Sequence, residues 1–445
     1  MNKPLPIRTR TEAEEALVAT FDSASSNLRG ASDLRAAAMA RFVKSGLPDR
    51  RVESWHYTDL RSILRRAAPV RPGDFMPVER ARAGLASAEA QTHAARIVML
   101  DGIYRPDLSD LALLPAGVTV ASLADALAEG DAEALGALTG EGQGADDPVV
   151  SLNTALMQDG VIVRVAAGVE AARPIAIANI MSGGAPHAAF VRSLVMVGDG
   201  AKLRLTETTA ACDESETQVN EALVLRIGDN ARVDYVSRVV RQGAGAISLH
   251  TLLATLGAGS EFNGFSFNPG VGVDRRQMFV RLNGRNSTLN LGGLSLLRGR
   301  QHADSTLVVD HAVPDCRSRE FFRYILDDES TGVFQGKVVV RQHAQKTDGA
   351  MKSQAIMLGD GASMNNKPEL EIFADDVVCG HGATVGQLDD DQIFYLQARG
   401  IPKPEAESLL LEAFAYEALE LIADEQLRAR FIEQTGEWLA ARGAA

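Results

Sequence analysis

At 445 residues the chain exceeds one ordinary domain, and a hydrophobic fraction of 46% is ample for a sizeable core. The formal net charge of -13 repels phosphate backbones and argues against nucleic-acid binding. No run of about 18 apolar residues is present to span a membrane, and the three cysteines, Cys212, Cys316 and Cys379, form no CxxC pair, so neither a disulfide framework nor a self-contained zinc or iron–sulfur ligand set is expected.

Taken in chain order, Met1 to Arg10 carries basic residues, but Glu12, Glu14 and Glu15 follow where a signal peptide needs an apolar stretch. The compartment expected is therefore a reducing cytoplasm. Glu12 to Phe21 and Leu34 to Val43 have apolar residues at helical spacing, ended by Gly46 and Pro48. Trp55 and Tyr57 are candidate anchors of this unit against something larger. Arg96–Leu100 and Val118–Ala121 read as short strands, Ser122 as the cap of a helix through Ala128, and Gly140–Asp147 as an acidic, glycine-rich loop.

From about Val149 to Leu388 helical periodicity gives way to alternating β-branched runs between similar turns. Gly198-Asp199-Gly200-Ala201, Gly228-Asp229-Asn230-Ala231, Gly257-Ala258-Gly259-Ser260 and Asn283-Gly284-Arg285-Asn286 place glycines 30, 29 and 27 residues apart, and Gly359-Asp360-Gly361-Ala362 is a late copy. A fixed period of this length marks a solenoid, whose units must stack to bury their apolar faces. The scarcity of aromatics, 5%, fits a narrow and regularly packed interior. The expected fold is mainly β, a right-handed parallel β-helix in residues 96–388 with a mixed α/β lead-in, between helical regions 1–95 and 389–445; an antiparallel sandwich is the alternative.

Cys379 and His381 lie two apart in a β-like run, so they share a face at roughly 6–7 Å. Thiolate and imidazole are ligands for zinc and iron–sulfur species, but two ligands do not close a site. Cys212 and Cys316 lack a His or Cys at ligand spacing and read as structural; His302, His311 and His343 read as isolated side chains. Asp389-Asp390-Asp391 reads as a helix cap. Gly332-Val333-Phe334-Gln335-Gly336-Lys337-Val338 is too short between its glycines for a P-loop, so ATP hydrolysis by this chain is not expected. In the tail, Pro402 and Pro404 precede a helix with Leu410, Phe414 and Leu421 on one stripe, and Asp424 is the cap of a second helix carrying Leu427, Phe431 and Trp438.

Three blocks resemble the SufB/SufD family of the SUF iron–sulfur cluster assembly machinery: Gly46-Leu47-Pro48 through Arg50-Arg51-Val52-Glu53-Ser54-Trp55-His56-Tyr57-Thr58-Asp59-Leu60; Ser151-Leu152-Asn153-Thr154-Ala155 with Asp159-Gly160; and Asp375 to Ile401. Within the last, His381-Gly382-Ala383-Thr384-Val385-Gly386-Gln387 favours the SufD branch. The resemblance implies a non-catalytic scaffold subunit of a cytoplasmic complex with two partners, a SufB-like subunit and a SufC-like ABC ATPase. It implies that His381, with Cys379 beside it, faces the SufB-like subunit where a cluster assembles transiently, no cofactor being held stably by this chain alone. It places the ATPase-binding surface in the C-terminal helices, with Pro404, Leu410, Phe414 and Tyr416 as candidates. Two alternatives stand: a homodimer in which two copies share the site, and a β-helix enzyme binding acidic polysaccharide through Arg275-Arg276 and Arg298-Gly299-Arg300.

Overall fold

In the computed structural model the described residues are 9–24, 28–71, 78–88, 94–139, 144, 146–171, 173–240 and 242–442. Residues 140–143 and 145 of the glycine-rich loop, and residues 1–8, lie outside them. Two sheets face each other. One runs, from the C-terminal end, through strands Val378–Gly386, Asp348–Met357, Arg317–Leu326, Thr288–Leu297 and Glu261–Asn268 back to Ala95–Leu100. The other runs through Ser363–Ile372, Thr331–Val340, His302–His311, Val273–Leu282 and Ile247–Leu256 back to Val161–Val165. We call them the first and second sheet. Successive strands alternate between them, so from Ile175 onward the chain makes seven two-strand coils and one last strand. Neighbouring coils pair in parallel register. The fold is thus a parallel β-solenoid and not an antiparallel sandwich.

The spacing of the turns explains the register. Lys202 pairs with Arg232, Arg232 with Glu261, and Glu261 with Thr288, the same 30, 29 and 27 residues that separate the turn glycines. Two residues before each of these strands the backbone is left-handed, at Gly200, Asn230, Gly259 and Asn286, and the pattern continues at Asp315 and Lys346. Gly, Asn and Asp tolerate that conformation best. The stacked turns also bond to one another: Gly200 N–H donates to the Asp229 carbonyl at 2.7 Å, and Asn230 N–H to that of Ala258 at 2.7 Å. The copy at Gly359 differs in place. It joins Asp348–Met357 to Ser363–Ile372 and so lies on the opposite edge of the solenoid.

Inward side chains form apolar ladders between the sheets, such as Leu203, Val233, Phe262 and Leu289. Each fully buried aliphatic contributes about 1.5–3 kcal/mol. The outer faces are covered too. Helices Lys403–Leu419 and Glu425–Arg442 pack on the first sheet through Leu411, Ala415, Ile422, Phe431 and Trp438. Asp424 caps the second of them, its Oδ1 accepting from Leu427 N–H at 3.0 Å.

The N-terminal unit packs on the second sheet, and Trp55 is its anchor. The indole is fully buried and donates to Asp147 Oδ2 at 3.0 Å, and the Arg275 guanidinium lies 3.7 Å over the ring. Residues 53–58 span four strands of the sheet. The Ser54 carbonyl accepts from Arg275 at 2.6 Å and from Gln335 at 3.0 Å, the Thr58 hydroxyl bonds Asp304 and His302, and Glu53 pairs with Lys367 at 2.7 Å. Tyr57 is only half-buried, its ring edge against His56, and does not share the anchoring role. The second block is also architectural: Asn153 Nδ2 donates to the carbonyls of Val191 at 2.9 Å and Asn220 at 2.8 Å, and a Cβ on Gly160 would stand 1.8 Å from the Arg192 carbonyl.

Candidate functional site

The two ends of the solenoid differ. At the N-terminal end each sheet finishes in an antiparallel strand, Ile103–Tyr104 on Ala95–Leu100 and Val118–Ser122 on Val161–Val165. At the C-terminal end neither last strand has a further neighbour among the described residues. Val378–Gly386 pairs with Asp348–Met357, and Ser363–Ile372 with Thr331–Val340. Exposed apolar side chains mark this rim: Ile372, Phe373, Val378 at 74% exposure, and Val385. An open edge of unpaired backbone groups beside exposed apolar residues is a template for strand addition, which proteins otherwise blunt.

Val378 N–H donates inward to the Thr347 carbonyl at 2.9 Å. In a parallel ladder the direction alternates, so the N–H groups of Cys379, His381, Ala383 and Val385 face the free edge.

Cys379 and His381 sit at the tips of two inward columns. Below Cys379 come Gly349, Ser318 and Leu289; below His381 come Met351, Glu320 and Leu291. The ladders are apolar through the middle of the body and turn polar two coils from the rim. His381 is exposed and Cys379 half-buried, so both are reachable from outside the chain. Burial raises the Cys379 thiol above its ordinary value, partly offset by the Gly349 N–H. A covering partner that brought positive charge would be needed to favour the thiolate. Among the described residues no group of three His, Cys, Asp or Glu side chains is arranged to hold a metal ion.

Sequence reasoning missed what lies beneath. Glu320 is 1% exposed, and neither carboxylate oxygen has a hydrogen-bond partner among the described residues. Its neighbour Ser318 is engaged by His311 Nε2 at 3.0 Å. Burial lifts the Glu320 carboxyl to about 8, against the opposing effects of the Ser318 hydroxyl and Arg319. Burial also lowers His311 to about 4, so its ring is neutral at pH 7. The solenoid period carried the signal: Ser318 and Glu320 stand 61 residues before Cys379 and His381, two coils down.

A stability prediction follows from Glu320. Its folded pKa lies above the unfolded value of about 4.3, so its contribution is fully present below that pH and is lost as pH rises through about 8. Glu320→Leu should therefore flatten the decline of stability with pH. The gap from wild type should widen by on the order of 4 kcal/mol between about pH 4.5 and 8.5 in urea denaturation. A constant gap across that range would show that Glu320 does not change charge state there.

The remaining candidates fall as follows. Cys316 is buried with its Sγ 3.3 Å from Ser287 Oγ, and Cys212 donates to the Arg80 carbonyl at 3.0 Å. His302 and His311 are engaged in the interior contacts above, and His343 is exposed. Asp389 caps helix Asp390–Gln397, accepting from Asp391 N–H at 2.9 Å. Arg275 is fully buried beneath the N-terminal unit and Arg276 is 6% exposed, so neither is offered to an external polymer; Arg298 and Arg300 remain on the surface. Residues 332–338 lie inside strand Thr331–Val340, where no phosphate-cradling loop exists.

In the tail, Pro404 is exposed, and Leu410, Phe414 and Tyr416 are half-buried. Phe414 is held by Arg323, whose guanidinium lies 4.3 Å from its ring and donates to its carbonyl. The buried stripe is Leu411, Ala415, Ala418 and Ile422, whereas Leu421 is 42% exposed. Phe394 at 70% and Tyr395 at 56% exposure, on helix Asp390–Gln397, are the most prominent aromatics of this region and were not singled out by sequence. No helix among the described residues is long and apolar enough to cross a membrane.

Comparison with known proteins places this arrangement. The family described as "SUF system FeS cluster assembly, SufBD core domain" matches residues 179–414, and "SufBD protein N-terminal region" matches residues 15–177. Identity is 30% over 409 residues to the iron–sulfur cluster assembly protein SufD of Escherichia coli strain K12, covering 90% of this chain and 91% of that protein. It is also 30% over 434 residues to an iron–sulfur cluster assembly SufBD family protein of Synechocystis, covering 94% and 92%.

Proposed function

The chain belongs to the SufBD family of iron–sulfur cluster assembly proteins, and from that premise we propose that it is a non-catalytic scaffold subunit, pairing through its open coil with a SufB-like subunit and carrying a SufC-like ABC ATPase on its C-terminal helices. The carrying observation is the bare C-terminal end of the solenoid, where an unpaired strand presents Cys379 and His381 on its inward face. A second β-solenoid added there would continue both sheets and bury the exposed rim. The same act would bring further ligands over the thiol and imidazole, so that a cluster is held only while the seam is occupied. Three free cysteines fit a reducing cytoplasm. For the ATPase, Phe394, Tyr395 and Pro404 present an exposed surface next to helices already fastened to the body, so force on that surface is transmitted to the first sheet and its last strand.

His381→Ala tests the shared site. Iron and acid-labile sulfide in the reconstituted complex should fall at least about tenfold with subunit stoichiometry unchanged, because even the loss of an outer-shell partner costs a metal site about 10–100-fold in affinity. Undiminished iron and sulfide would remove His381 from the assembly site. Mass measurement of the isolated chain, with and without a SufB-like subunit, separates this pairing from a homodimer.

A further inference from the structure

Between the N-terminal helices and the outer face of the second sheet lies a cleft of about 980 Å³. Its apolar lining comes from Val224, Leu253 and Phe279 on the sheet and from Leu138 on helix Ala132–Thr139. In its lining lies Arg192, on strand His187–Val197, 3% exposed. Its guanidinium donates to the Thr154 hydroxyl, while Nε is buried without a partner, and no carboxylate pairs with it among the described residues. Other buried arginines are better met: Arg275 is paired with Asp304, Arg276 with Asp274 at 3.0 Å, and Arg35, which has no carboxylate, donates to four backbone carbonyls. A charge taken out of water costs several kcal/mol unless it is paired.

The surrounding charges leave the deficit in place. Arg41, Arg226 and Arg281 also line the cleft, against Asp146, Asp199 and Asp229. Two of those acids are occupied by the stacked turns: Asp199 Oδ1 accepts from Asp229 N–H at 2.8 Å, and Asp229 Oδ1 from Ala258 N–H at 2.7 Å. Arg226 donates to the Gly136 carbonyl at 3.1 Å and Arg281 stands 3.9 Å from Asp310. Burial lowers Arg192 to about 10, which still leaves it cationic at pH 7.

We propose that this cleft binds a small molecule carrying a compact anionic group, phosphate or carboxylate, which pairs with Arg192 while its apolar body lies against Leu253 and Phe279. The volume suits a ligand of cofactor or metabolite size. A planar guanidinium fork matches either anion in bidentate geometry. The site is on the opposite sheet from Cys379 and His381, and it stands whether or not the reading of the open coil is right.

The test uses the full chain and the anionic aromatic probe 8-anilinonaphthalene-1-sulfonate at constant ionic strength. Inorganic phosphate or succinate, titrated separately, should displace a phosphate- or succinate-sensitive fraction of probe fluorescence, and the effective anion identifies the headgroup. In Arg192→Met that displacement should weaken at least about tenfold, and Arg192→Lys should restore part of it. Arg192→Met should also melt at or above the wild-type temperature, because it removes an unpaired buried charge. Displacement by neither anion in wild type, equal displacement in Arg192→Met, or a large drop in its melting temperature would each overturn the assignment.

Discussion

Asp304→Ala should destabilise the protein by about 3–5 kcal/mol, because it strands a buried cation. The Asp304 side chain is fully buried and accepts from Arg275, from the Thr58 hydroxyl and from the Thr306 hydroxyl at 2.7 Å. Removing it leaves Arg275, equally buried, with the Trp55 ring, the Ser54 carbonyl and Gln277 as its remaining partners. None of these carries a neutralising charge. The loss should appear first where the pair works, at the seam between the N-terminal unit and the second sheet. Urea denaturation should move to a lower midpoint, and limited proteolysis should release the N-terminal unit before the solenoid is cut. The double variant Arg275→Met with Asp304→Leu should recover much of the loss, since an apolar pair of similar size avoids desolvating two ions. A cost below about 1 kcal/mol for Asp304→Ala would mean that Arg275 reaches water and that the seam is not sealed.

Ala383→Pro should leave the monomer folded and abolish pairing at the open end. Ala383 is exposed on the terminal strand, and its N–H belongs to the set facing the free edge. Proline is tolerated on an edge strand when the lost N–H points away from the sheet. The inward ladder to Asp348–Met357 therefore keeps its bonds, while the outer ladder loses a donor and gains a pyrrolidine ring in the path of an incoming strand. Affinity for a SufB-like subunit should drop at least about 100-fold, equivalent to roughly 2.7 kcal/mol. The monomer's melting temperature and circular dichroism should stay close to wild type. Gly380→Pro is the contrast: that residue's N–H points into the sheet, so it should destabilise the monomer itself. If Ala383→Pro associates as tightly as wild type, the partner does not add to this edge.

The solenoid is legible in the recurring turns. Left-handed turn residues recur because each coil must reverse at the same place, and only a few residue types accept that backbone, so Gly200, Asn230 and Gly259 announce the period directly. Strand alternation alone puts Cys379 and His381 on one face. Which face, and at which end, was decided by the fold: the inward columns stop at an unpaired strand, and Ser318 and Glu320 come to lie beneath the pair only through parallel register. The copy at Gly359 shows the limit of local signals, since turns on opposite edges need the same backbone and look alike. Helix Lys403–Leu419 shows another. Leu409, Leu410 and Leu411 are consecutive, and only contact with the first sheet selected Leu411 as the buried one and left Leu409 at 42% exposure. The seating of Trp55 on Arg275, and the unpaired charge of Arg192 in its cleft, join residues far apart along the chain. Their energies depend on burial, and burial is a property of the packed molecule that no local run of residues specifies.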